Sequence, residues 1–147
     1  MFERCSDLVE ITIPESVTSL AGNETSYASC FSQCTSLTRI IIPNSVTTIG
    51  GSCFAYCDNL SEIIIGTGIT KINSNAFSQR KIIANRKVVI KAATPPTIQA
   101  NTFTSSYFNA TNGCQVIVPT TSETDYEGGT NWSTWADIIE GGAENYV

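Results

Sequence analysis

Apolar residues in this chain recur neither at the helical period nor in simple alternation. They recur as a block. Aligned on a Phe followed three residues later by Cys, one unit runs Phe2, Cys5, Leu8, Ile11, Ile13, Pro14, Val17, Leu20. The next runs Phe31, Cys34, Leu37, Ile40, Ile42, Pro43, Val46, Ile49. A third runs Phe54, Cys57, Leu60, Ile63, Ile65, Gly66, Ile69, Ile72, and Phe77 opens a fourth. The steps from Phe31 to Phe54 and from Phe54 to Phe77 are both 23 residues. Phe2 to Phe31 is 29, the excess being a six-residue insertion around Ala21–Tyr27. Eight positions in register three times over mark an internal repeat, and a fixed period of this size is the signature of a solenoid.

Each unit predicts the same small elements. Leu-x-x-Ile-x-Ile-Pro is a short strand, β-branched on alternate positions and ended by a Pro that removes a donor. Val-x-x-Ile-Gly is a second extended stretch, closing at Gly50 in the second unit. Ser52–Cys57 is expected to form a helical turn with Phe54 and Cys57 on one side. A unit this short cannot bury its own Leu, Ile, Val, Phe and Cys. Stacked in parallel, it lays them over the same residues of its neighbour.

Beyond Phe77 the pattern loosens. Val88-Val89-Ile90 replaces the main strand, Pro95-Pro96 replaces the turn, and Phe103 opens a last unit whose strand is Gln115–Pro119. The tail then carries Tyr126, Trp132, Trp135, Ile138 and Ile139, and it reads as a cap over a core that would otherwise end exposed. The expected architecture is a mainly β solenoid. Short parallel strands stack as a curved sheet, short helical turns lie on the convex side, about five repeats fill residues 1–119, and a C-terminal cap and tail fill 120–147.

The units resemble the BspA-like (Treponema pallidum type) leucine-rich repeats of bacterial surface proteins. The carrying residues are Phe31-Ser32-Gln33-Cys34-Thr35-Ser36-Leu37-Thr38-Arg39-Ile40-Ile41-Ile42-Pro43-Asn44-Ser45-Val46-Thr47-Thr48-Ile49-Gly50. The stretches Ala93–Ile98 and Val116–Pro119, with Trp132, Trp135, Ile138 and Ile139, also look like the closing units of such proteins. The resemblance implies a non-catalytic module without a cofactor, at the cell surface or secreted. It further implies adhesion to, or binding of, a host protein or glycan. The N-terminus has no basic stretch before an apolar core, which fits either an intracellular protein or an excised piece of a longer exported one, and the repeats favour the second, with the export signal upstream or removed.

Composition narrows the chemistry. The chain has no His, which excludes Ser-His-Asp and Cys-His catalysis and imidazole ligands for zinc. A net charge of −5 argues against nucleic acid as partner. No run of 18 apolar residues exists, so no membrane insertion is expected. The carboxylate pairs Asp7/Glu10, Asp58/Glu62 and Asp125/Glu127 come with no pocket signature and read as solvated. Asn23-Glu24-Thr25, Asn59-Leu60-Ser61, Asn109-Ala110-Thr111 and Asn131-Trp132-Ser133 fit the glycosylation pattern, as chance allows in a chain rich in Ser, Thr and Asn.

Of the six Cys, Cys5, Cys34 and Cys57 share one repeat position, Cys30 and Cys53 share another where the next unit has Ala76, and Cys114 stands alone. They read as small core residues at a tight corner, with disulfides between adjacent coils as the alternative. On the outer face of the strands, the column Glu10, Arg39, Glu62, Lys87 alternates in sign, and each is expected to pair with the next. The neighbouring column reads Thr12, Ile41, Ile64, Val89, Ile117. Its apolar members are either mutual cross-strand contacts or a binding stripe on an exposed concave face. Charge is segregated as well: Lys71, Arg80, Lys81, Arg86, Lys87 and Lys91 come with no acid among them, whereas six acids and no base follow Lys91. This is either a solvated edge or a basic contact patch. Finally, the strand Leu8–Pro14 is expected to leave an open sheet edge, paired by another chain or covered by N-terminal residues, with self-association as one outcome.

Overall fold

The computed structural model describes residues 2–23 and 29–146. Most of the insertion noted above, Glu24 to Tyr27, lies outside the described residues, as does the Asn23-Glu24-Thr25 pattern beyond Asn23. Among the described residues, nine short strands form two parallel sheets. Two-residue strands β1 (Ser19–Leu20), β3 (Thr48–Ile49), β5 (Lys71–Ile72) and β7 (Thr97–Ile98) make one. The other is ordered β2 (Arg39–Ile42), β4 (Glu62–Ile65), β6 (Lys87–Ile90), β8 (Gln115–Val118) and β9 (Ile139–Gly141). Register follows the repeat: Ile40 pairs with Ile63, Ile63 with Val88, Val88 with Val116, and Val116 with Ile139. The solenoid expected from the repeat is therefore formed.

Side-chain stacking holds the coils together. Phe2, Phe31, Phe54, Phe77 and Phe103 form one ladder with ring centroids 5.2–5.5 Å apart and planes within 11° of parallel. Beside it stacks the cysteine column, and each thiol also reaches back one coil. Cys34 Sγ donates to the Phe2 carbonyl and Cys57 Sγ to the Phe31 carbonyl, both at 3.1 Å. Backbones approach closely where Gly22 and Gly50 meet. A Cβ on Gly50 would lie 2.2 Å from Gly22 N, so that position admits only Gly.

The expected helical turns are not helices. Residues 51–56 are consecutive hydrogen-bonded turns, with Ala55 N–H on Ser52 C=O at 3.0 Å. Ser52 and Tyr56 have φ of 55° and 62°, and Gln33 and Arg4 repeat the Tyr56 conformation one and two coils earlier. A left-handed residue every few positions stops a helix before it forms. Phe54 and Cys57 still face the core, because two turns in succession return the side chain to the same side. Among the described residues, helix is confined to α1 (Glu123–Glu127) and short 3-10 segments, among them Ala110–Asn112 and Trp132–Ile138, in the C-terminal part of the chain. Trp135 and Ile138 share that last segment as their spacing predicts, but Ile139 leaves it to start β9.

One predicted strand does not form. Residues 8–14 pair with no neighbour among the described residues, although they carry the full Leu-x-x-Ile-x-Ile-Pro motif. The sheet therefore begins at β2, one unit later than expected.

Candidate binding surfaces

The C-terminal end is sealed from the residues upward. Phe108 stacks on Phe103 at 4.8 Å, and Trp135 meets both rings edge-on at 5.6–5.8 Å. Tyr126 and Trp132, 5.2 Å apart, are buried and satisfied: Tyr126 Oη donates to Ala92 C=O and Trp132 Nε1 to Pro96 C=O, each at 2.8 Å. Burial pushes the Tyr126 phenol pKa up, so the hydroxyl stays a donor. Asn131 Nδ2 adds a bond to Ile98 C=O.

The outer face of the five-stranded sheet differs from expectation. Ile64, Val89 and Ile117 align as predicted, but they are 2%, 0% and 5% exposed. The chain's own tail covers them. After β9, Gly142 turns the backbone at φ 117°, a conformation other residues rarely adopt. A 3-10 turn (Ala143–Asn145) then lays Ala143 and Tyr146 on these three residues. Lys87 Nζ sits 5.4 Å from the Tyr146 ring centre. Glu144 accepts from the Thr120 hydroxyl at 2.5 Å and the Thr120 N–H at 3.3 Å, and the hydroxyl bond holds its carboxyl below the usual range. The exposed concave stripe is thus corrected to a second small core, with Ile41 alone still 42% exposed. The sequence missed the cover because Ala143 and Tyr146 lie in a polar tail that shows no repeat.

The charged column pairs in part. Arg39 bonds Glu62, Lys87 serves Tyr146, and Gln115 extends the column at the far end, where it bonds Glu140 of the neighbouring column. Glu10 forms no ion pair among the described residues, because the segment that bears it is not in the sheet.

The six basic residues do not share one face. Lys71 is on the two-residue sheet and exposed; Arg80 and Lys81 are in the loop before β6, where Arg80 Nε holds Asp58 at 3.0 Å and the guanidinium lies over the Tyr56 ring. Lys81 Nζ reaches the Asn59 side chain at 3.4 Å, and Lys87 and Lys91 belong to the large sheet's side. Arg86 is corrected outright: it is 1% exposed. It donates to Phe77 C=O at 3.1 Å and to the Gln79 side chain, no carboxylate is bonded to it, and Nε has no partner. Desolvation pulls its pKa down to about 10, so it remains a buried cation near neutral pH. The fourth unit has two extra residues between Phe77 and Val88, compared with Phe54 to Ile63 in the third, and Arg86 turns inward at their end.

All six cysteines are free thiols. Cys30 is half-buried against Cys53, and a hydrogen bond from the Cys53 thiol lowers the Cys30 pKa to about 7, while Cys53 and Cys57 are pushed up by donating to their partners and by burial. Among the described residues, no group of three or more Cys, Asp or Glu is arranged to hold a metal ion, and no helix is long and apolar enough to cross a membrane.

At the N-terminal end the surface is of another kind. Phe2 and Val9 are 42% and 63% exposed, and with Ile41 they make three of the four exposed large apolar side chains among the described residues. A cleft of ≈ 590 Å³ runs between the unpaired segment and β2.

A sequence model of the family described as BspA type leucine rich repeat region matches residues 1–109 in six copies. No curated protein matches the chain.

Proposed function

The chain belongs to the BspA-type leucine-rich repeat family, a family of repeat interaction modules generally without enzymatic activity and typically at the surface or secreted, and on that premise we propose that it is a non-catalytic binding module of a microbial cell-surface or secreted protein. Its partner on this reading is a host protein or glycan. The observation that supports it is the distribution of apolar surface. The closing coils bury Phe103, Phe108, Tyr126, Trp132 and Trp135, whereas the opening coils leave Phe2 exposed and set Val9 and Ile41 in solvent along a cleft.

The test is an array of extracellular host proteins and glycans probed with the whole chain and with Ile41→Ser. Saturable binding that the substitution weakens supports the reading; binding to nothing on the array overturns it. If the exposed bases Lys71 and Lys81 and the half-buried Lys91 contribute, binding weakens as salt rises. A second reading, a spacer with no ligand of its own, is favoured by the tail that covers most of the outer sheet face. An empty array would select it.

A further inference from the structure

The first two units carry matching strand motifs, Val9-Glu10-Ile11-Thr12-Ile13-Pro14 and Thr38-Arg39-Ile40-Ile41-Ile42-Pro43. Both sides of the first motif are anchored. Ser36 N–H donates to Ser6 C=O at 3.1 Å before it, and Thr47 N–H to Thr18 C=O at 2.9 Å after it, where β1 also pairs with β3. Between these anchors no hydrogen bond joins the motif to β2 among the described residues, and the cleft opens there.

The wall of the cleft formed by β2 is a row of free backbone groups. In a parallel ladder, alternate residues turn their N–H and C=O to opposite neighbours. Glu62 N–H bonds Thr38 C=O and Gly66 N–H bonds Ile42 C=O, so Thr38, Ile40 and Ile42 face β4. Arg39 and Ile41 therefore present N–H and C=O to the cleft, and none of these four groups is bonded among the described residues. Donor and acceptor recur every second residue, about 6.6 Å apart. An extended polypeptide matches that period, and the hydroxyls of a glycan do not.

The side chains define the rest of the occupant. Ile41 and Val9 offer apolar contact. Glu10 and Glu15 line the cleft, while the Arg39 guanidinium is already engaged by Glu62. Net charge available to a ligand is thus negative. We propose that this cleft binds an extended segment of a partner protein, β-branched at its centre and flanked by Lys or Arg, which adds to the sheet as a strand alongside β2. This mode draws affinity from main-chain hydrogen bonds and selectivity from alternate side chains. The inference rests on the binding-module reading and narrows its partner from protein or glycan to peptide.

The experiment uses the whole chain and a fluorescein-labelled, end-blocked peptide, Lys-Val-Thr-Ile-Lys, followed by anisotropy. Saturable binding is expected, at least about tenfold weaker when the peptide's alternate amides on one edge are N-methylated. Ile41→Pro removes an edge N–H without breaking a bond to β4, which edge strands tolerate. It is expected to weaken the peptide at least about tenfold with a thermal midpoint near wild type. Should that variant unfold, Ile41→Lys, which keeps the backbone and repels a basic peptide, is expected to do the same. No saturable binding, or equal binding of the methylated peptide, overturns the proposal. Concentration-dependent dimerisation in sedimentation, lost in Ile41→Pro and untouched by the peptide, makes a second copy the occupant and also overturns it. Capture of an array protein that Ile41→Pro leaves unchanged sinks this inference while the broader reading stands. Peptide binding with an empty array keeps the cleft as a binding site and overturns only the arrayed host proteins and glycans as its partners.

Discussion

The two ends of the solenoid solve one problem in opposite ways. A coil is stabilised only by its neighbours, so each end has a face with nothing to stack on. At the C-terminal end the aromatic ladder runs into Phe108 and Trp135, whose edge-on rings close it, and Tyr126 and Trp132 donate to carbonyls of the last coils. At the N-terminal end Phe2 stacks on one side only and shows 42% of its surface, and the strand that should flank β2 is unpaired. One end is finished by residues that fit nothing in the repeat. The other retains the repeat and, among the described residues, leaves the edge groups of β2 without a strand beside them.

The largest test of this comparison is a pair of truncations. Trp132→Ala should cost about 3–5 kcal/mol, the range for a fully buried aromatic that also leaves a cavity. It further orphans the Pro96 carbonyl. Phe2→Ala should cost less than about 1.5 kcal/mol, because nearly half the ring is already in water and the space can refill. Urea unfolding of both variants checks the ratio. Equal losses would mean that the N-terminal coil is as firmly seated as the cap.

Glycine substitutions sharpen the same contrast. Gly50→Ala places a Cβ 2.2 Å from Gly22 N, backbone against backbone, and should cost about 1–3 kcal/mol by forcing the first coil away from the second. Gly129→Ala in the cap meets its nearest atoms at 3.2 Å and should lie within about 1 kcal/mol of wild type. Hydrogen exchange should show the first variant loosening residues near β1 and β3 while the cap amides stay protected.

Between the ends sits Arg86, where the repeat is interrupted. The charge is desolvated and unpaired by any carboxylate, so Arg86→Met, which keeps the volume and removes the charge, should change stability by no more than about 1 kcal/mol in either direction. Calorimetry at neutral pH measures it. A large loss would show that the bonds to Phe77 and Gln79 are worth more than the desolvation they offset.

How much of this was legible in the sequence follows from what the repeat controls. Phe, Cys, Leu and the alternating Ile fixed the coil register, because each needs the same residue one coil away, and Phe103 and Gln115–Pro119 were placed even after the pattern decayed. Three features escaped. The turn at Ser52–Cys57 depends on φ at Ser52 and Tyr56, which no apolar pattern encodes. Arg86 turns inward at the end of two extra residues, where a basic side chain takes the register position of Ser61. The cover over Ile64, Val89 and Ile117 comes from Ala143 and Tyr146, whose placement is tertiary: Gly142 permits the reversal, and nothing in the tail's own sequence announces where it lands. The site at the N-terminal end was legible only as an open edge. Its depth came from a strand motif that does not form a strand.

The smallest expected effect lies in the charged column that runs between the ends. Arg39 and Glu62 pair at its open end, and Gln115 ends it at the other, bonded diagonally to Glu140 of the next column. Both partners of the first pair are partly solvated, their side chains 49% and 32% exposed, so screening leaves little of the Coulomb energy. A double-mutant cycle with Arg39→Ala and Glu62→Ala should return about 0.2–1 kcal/mol at low salt and less at 1 M. The pair therefore adds little to the fold, and its consequence is for the cleft. With Glu62 removed, the Arg39 guanidinium is released beside Glu10 and Glu15, and a basic peptide should bind more weakly at low salt, with the difference closing as salt rises. If Glu62→Ala instead leaves peptide affinity unchanged at every ionic strength, the charge of the open end does not select its partner, and the backbone row of Arg39 and Ile41 acts alone.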